Sequence, residues 1–171
     1  MVRFCRDNNV PILYGSPKRG RDEVVRKHST YLDWHHESSH KFTVIRNPFT
    51  RLVSWFRYLS GLGVYSCDFS TFVRQKLEPE AGSIKTPSPW RLQATWIDDA
   101  PRHKIKMFAF ENINQALPLF LGRPGPLPLV NVTNTDHRDL GQWYDDDLKR
   151  HIESHFARDF GLWEEVMDNA G

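Results

Sequence analysis

Residues Phe42-Thr43-Val44-Ile45-Arg46-Asn47-Pro48-Phe49-Thr50-Arg51-Leu52-Val53-Ser54 decide the fold. The run 42–45 is apolar and β-rich, the composition of a buried strand. Asn47-Pro48 stops it, and a proline suits the first turn of a helix, where no N–H is needed. Leu52, Phe56 and Leu59 then recur at i, i+4 and i+7. A helix from residue 48 to about 59 therefore turns this stripe inward. Arg46 emerges at the carboxyl edge of a sheet, where open α/β sheets bind ligands. Arg51 and Ser54 lie three residues apart on a helix face opposite the apolar stripe. Arg46, Arg51 and Ser54 can thus converge on one anion, because a guanidinium offers two parallel donors to a phosphate. An arginine paired with a nearby carboxylate and a serine facing water would look the same in sequence.

Working outward, residues 11–14 read as a short strand and 16–21 as a basic turn. Thr30 with Asp33 fits a capping box, which predicts a short helix over 31–36. Downstream of Gly61–Gly63, Asp68 can cap a helix through residue 77, and 78–89 form a Pro-, Gly- and Ser-rich loop. A helix over 91–98, a second buried strand over 106–110 and a helix over 112–121 follow. Residues 122–128 are rich in breakers. The stretch 144–167 is mainly helical, with Leu148, Ile152 and Phe156 at i, i+4 and i+8. Strands alternating with helices argue for an α/β fold with a small parallel sheet flanked by helices. The 171 residues fit a single domain over 1–171.

Hydrophobic residues make up 39% and charged residues 26% of the chain, ordinary values for a globular protein. No run of about 18 apolar residues exists, so no membrane span is expected. The start, Met-Val-Arg-Phe-Cys-Arg, lacks the apolar segment of a signal peptide. Cys5 and Cys67 are too few for a disulfide framework or a cysteine-built zinc site, and a reducing compartment is expected. The net charge of +2 is unevenly spread. Residues 1–60 hold 11 Lys and Arg against 5 Asp and Glu, whereas 111–171 hold 5 against 11. The basic half is where an anionic ligand would bind, unless the two halves simply attract each other. An excess of this size is small for a dedicated nucleic-acid binder, and no nucleic-acid partner is expected.

The segment from Arg46 to Ser54 resembles the 3'-phosphate-binding motif of sulfotransferases that use 3'-phosphoadenosine 5'-phosphosulfate (PAPS). In that motif an arginine at a strand end and a serine eight residues later hold the 3'-phosphate. Lys27-His28-Ser29-Thr30-Tyr31-Leu32-Asp33 is similar to the stretch that carries the catalytic histidine in the heparan/uronyl 2-O-sulfotransferase branch. Gln93 in Arg91-Leu92-Gln93-Ala94-Thr95-Trp96 looks like the helix before the family's next strand. Phe108-Ala109-Phe110-Glu111-Asn112-Ile113 resembles the strand that ends in an acidic residue, and 144–163 the closing helix pair. The resemblance runs from about residue 24 to 166 in unbroken order.

It implies a P-loop-NTPase-like sulfotransferase fold and sulfuryl transfer from PAPS to a hydroxyl, of a carbohydrate or a similar acceptor. His28 would be the general base, Arg46 and Ser54 would hold the 3'-phosphate, and Arg51 would assist. No metal is implied. These enzymes begin with a strand and a Pro-Lys-x-Gly-(Gly/Thr)-Thr loop at a helix N-terminus, which cradles the 5'-phosphosulfate. Pro17-Lys18-Arg19-Gly20 is the candidate in this chain, and Lys18 its lysine. The other expectation is that Met1 follows the loop, residues 2–8 being the remnant of its helix, so that the first strand is missing. A non-catalytic nucleotide- or polyanion-binding relative of the same fold is the alternative function. The small size and absent anchor suggest a cytoplasmic protein, bacterial or viral more than Golgi.

Other residues admit two readings. His28 can equally cap or pack beside the helix starting at Thr30. His35, His36 and His40 read as surface residues, because adjacent helical histidines point about 100° apart and no Cys or carboxylate set accompanies them. Glu111 either pairs with an arginine or caps the helix after it. Asp145-Asp146-Asp147 fits the positive end of a helix dipole better than a metal site. Trp90, Trp96 and the 61–65 loop could line an acceptor groove, although core packing is the commoner use of such residues. Asn131-Val132-Thr133 is a glycosylation sequon, which counts only in a secreted chain.

Overall fold

The computed structural model describes residues 41–77, 92–97, 105–122, 125, 127 and 140–169. Two strands, β1 (Lys41–Ile45) and β2 (Ile105–Ala109), pair in parallel with Lys41 opposite Ile105 and Ile45 opposite Ala109. Both lie within one residue of their predicted limits. Parallel neighbours need a long crossover, and residues 46–104 supply it.

The first crossover helix is α1 (Pro48–Gly61). Asn47 caps it: its Oδ1 accepts from the Phe49 N–H at 2.9 Å and the Thr50 N–H at 3.4 Å. Gly63, with φ +70°, turns the chain out of it. A short helix α2 (Phe69–Phe72) follows, and Asp68 Oδ1 accepts from the Thr71 N–H at 2.9 Å. The predicted helix continues to Leu77, but as a π-helical turn, Val73–Leu77.

Within the helix expected over 91–98, the described residues 92–97 hold a 3-10 turn, Gln93–Trp96. After β2, a 3-10 turn (Phe110–Asn112) leads into α3 (Ile113–Phe120). The final helical stretch is two helices, α4 (Asp146–His155) and α5 (Ala157–Asp168), separated at Phe156. No described helix is long and apolar enough to cross a membrane.

Strand alternation puts the two sheet faces against different partners. Ile45 and Ala109 pack with Leu162 and Val166 of α5 and with Ala94 and Ile97. Phe42, Val44 and Phe108 pack with Ile113 and Leu117 of α3. A third cluster joins α1, α2 and α4 through Leu52, Val53, Phe69, Phe72, Tyr144, Leu148, Ile152 and Phe156, with Phe56 and Leu59 against it. The stripes predicted on α1 and α4 are thus the inward faces. Helices cover both faces of a small parallel sheet, which fits the α/β class.

Candidate functional site at the strand end

The sheet ladder stops at Ile45, and the next residue finds its backbone partner elsewhere. The Arg46 N–H donates to Gln93 Oε1 at 2.9 Å, and Gln93 Nε2 donates to the Arg46 carbonyl at 2.8 Å. One side-chain amide therefore satisfies both main-chain groups and fixes where the arginine leaves the sheet. Its Nε donates to Thr50 Oγ1 at 3.1 Å, while that hydroxyl donates to the Asn47 carbonyl at 3.1 Å. The guanidinium carbon sits 4.4 Å from the centre of the Phe110 ring. The strand register explains this contact, because Ile45 opposite Ala109 makes Arg46 and Phe110 neighbours past the strand ends. Among the described residues, the two terminal nitrogens of Arg46 have no hydrogen-bond partner.

Burial lowers the Arg46 pKa, the Glu111 charge pushes it back up, and nearby Arg51 lowers it again. An arginine stays protonated throughout. Ser54 is half-buried on α1. It lies four residues beyond Thr50, so the two share a helix face on the side to which Arg46 is tied. Among the described residues nothing holds its hydroxyl.

Arg51 turns to a different partner. Its Nη1 lies 3.4 Å from Asp159 Oδ2, with side-chain exposures of 13% and 0%. Asp159 also accepts from the Gln93 N–H at 2.7 Å and the Ala94 N–H at 2.9 Å, capping the 3-10 turn. That cap holds the first two N–H groups of the turn that starts at Gln93. Burial pushes the Asp159 carboxyl above the ordinary carboxylate range, while the two amides and Arg51 pull the other way. Burial also lowers the Arg51 pKa, opposed by Asp159. A buried network thus runs from Arg51 through Asp159 and Gln93 to the backbone of Arg46.

Glu111 caps, though not the helix that follows it. Its Oε1 accepts from the Asn47 N–H at 3.2 Å, just before α1, and its Oε2 accepts from Trp163 Nε1 at 3.1 Å. Asn112 begins α3 without a side-chain cap. Asp145 caps α4, its Oδ1 accepting from the Leu148 N–H at 2.7 Å, and Asp147 meets Arg74 at 2.6 Å. In the 61–65 loop Leu62 and Val64 are exposed, whereas Tyr65 packs on Phe72. Lys18 with its Pro17–Gly20 turn, residues 2–8, His28, His35, His36, His40, Trp90 and the Asn131 sequon lie outside the described residues.

Two contributors carried little signal in the sequence, and a third carried more. Thr50 and Phe110 matter only because cap and register bring them to Arg46. Asp159 was more legible: it falls at i relative to Leu162 and Val166 at i+3 and i+7, a carboxylate on a buried stripe. Its placement demands partners in that core. A groove of about 710 Å³ runs along β2 beside Asn112, Ala116 and Val166, and neither Arg46 nor Ser54 lines it.

Residues 13–81 match a family model described as the sulfotransferase family, less than half of the 171 residues. The span takes in Lys18, His28, β1, Arg46 and Ser54, and it ends before Gln93, β2 and Asp159. It opens upstream of residue 24, where the resemblance read from the motifs begins. No curated protein and no solved structure matches the chain. Over that span, which holds the strand-end arginine and the capped helix, the chain is similar to the sulfotransferase family.

Proposed function

We propose that this chain moves a sulfuryl group from PAPS to a hydroxyl of a carbohydrate or similar acceptor. The observation that carries the reading is Arg46, held at a strand end with two terminal nitrogens uncommitted among the described residues, inside the matched span. A 3'-phosphate fits this arrangement. Its oxygens can take both terminal guanidinium donors and the hydroxyl of Ser54. Arg51, whose Nη1 faces Asp159 at 3.4 Å, is the weaker candidate for the same phosphate.

The donor, when bound, supplies an activated sulfuryl group on its 5'-phosphate. The acceptor hydroxyl oxygen forms a bond to sulfur as the bond from sulfur to the bridging oxygen breaks. His28 takes the hydroxyl proton, a task suited to an imidazole with a near-neutral pKa. Lys18 offsets charge on the departing bridging oxygen. Arg46 and Ser54 keep the leaving nucleotide in place, so the site works mainly by positioning.

Calorimetry tests the site. The chain should bind 3'-phosphoadenosine 5'-phosphate more tightly than AMP, and Arg46→Ala should weaken that binding by about tenfold to more than a hundredfold. Equal affinity of the unaltered chain for the two nucleotides would remove the assignment. Transfer of labelled sulfate to a glycan panel separates an enzyme from a non-catalytic binder.

A further inference from the structure

Phe110 is out of place by packing standards. Its neighbours Phe108 and Ala109 are buried, yet the residue is 46% exposed and belongs to none of the three core clusters. What it does touch is the Arg46 guanidinium, whose central carbon sits over the ring 4.4 Å from its centre. The opposite constraint comes from Thr50. Its hydroxyl proton is committed to the Asn47 carbonyl, so a lone pair is left for Arg46 Nε. One contact holds the guanidinium carbon over the ring and the other ties Nε to Thr50. Because Nε is used, only the edge carrying the two terminal nitrogens remains for a ligand. Glu111, whose oxygens already accept from Asn47 and Trp163, lends Arg46 charge without a direct ion pair.

We propose that Phe110 and Thr50 are positioning residues that preset Arg46 to grip a phosphate end-on through its two terminal nitrogens. This rests on the reading of Arg46 as the 3'-phosphate ligand. A free arginine loses considerable rotamer freedom when it binds. A shelf and a tether that impose the bound geometry beforehand remove most of that loss. The ring's electron-rich face also favours the cation directly.

The experiment is calorimetry with 3'-phosphoadenosine 5'-phosphate and with AMP on the whole chain and four variants, with melting temperatures alongside. Phe110→Leu removes the ring and Thr50→Val removes the hydroxyl at nearly constant volume. Each should weaken 3'-phosphoadenosine 5'-phosphate binding by about 3- to 30-fold and leave AMP within about twofold. Phe110→Tyr and Thr50→Ser should restore affinity to within about threefold, because shelf and tether persist. A preference for the 3'-phosphate that survives in both Phe110→Leu and Thr50→Val overturns the positioning role alone. Equal loss of both nucleotides with a fall in melting temperature assigns the two residues to folding and also overturns it. An unaltered chain with no preference for the 3'-phosphate defeats the site reading and this inference together.

Discussion

Replacing Asp159 by alanine tests the network on which the site depends. The carboxylate is fully buried, accepts two amide hydrogen bonds and faces the Arg51 guanidinium at 3.4 Å. Removing it strands the Gln93 and Ala94 N–H groups and takes from an arginine of 13% side-chain exposure the carboxylate it faces. Breaking a buried pair in this way costs about 3–5 kcal/mol. The amide losses overlap with that figure and are not added to it. Against a typical stability of about 5–15 kcal/mol this is a large fraction.

The raised pKa of Asp159 shows that desolvation outweighs what its partners return. The ionised pair is therefore no net stabiliser by itself, and the cost of the variant lies in the groups it orphans. The sign in pH follows. Between the unfolded and the higher folded value the native state binds more protons, so this group's contribution to stability falls as pH rises through that window. Urea denaturation should show a lower midpoint for Asp159→Ala at unchanged slope. In a cycle with Arg51→Met the two residues should couple by about 0.5–3 kcal/mol. Because Asp159 seats Gln93, and Gln93 holds the Arg46 backbone, nucleotide affinity should fall as well. A loss below about 1 kcal/mol, or additive single variants, would refute the reasoning.

Tyr144→Phe should cost about 0.5–1.5 kcal/mol of stability in urea denaturation, since the buried phenol donates to the Phe49 carbonyl at 2.8 Å and burial keeps it protonated. The Asp68 carboxyl, held below its ordinary range by the Thr71 amide and hydroxyl, contributes stability above its unfolded pKa that is lost as pH falls through the folded value. The melting-temperature gap between Asp68→Ala and the parent should therefore close in acid; a constant gap would assign it to something other than charge. His28→Ala should abolish labelled-sulfate transfer with nucleotide affinity held within about twofold, and retention of more than about a tenth of the rate would make His28 structural.

The sequence alone determined the elements whose signals are local. Proline and asparagine placed the start of α1, the i, i+4 stripes of α1 and α4 named their buried faces, and apolar runs located both strands. It also put Arg46 at a strand end, because a strand stopped by Asn47-Pro48 leaves that residue no other position. Local signals suffice there since caps, periodicity and breakers act within one or two turns. What Arg46 and Arg51 each meet was decided by the tertiary structure. The parallel register brought Phe110 beside Arg46, and the packing of α5 brought Asp159 to Arg51, 108 residues away, and to Gln93, 66 residues away. Two arginines five residues apart are chemically equivalent in sequence. They differ in the fold because burial demands a counter-charge for the one facing α5, while the one at the open strand end keeps its terminal nitrogens uncommitted among the described residues.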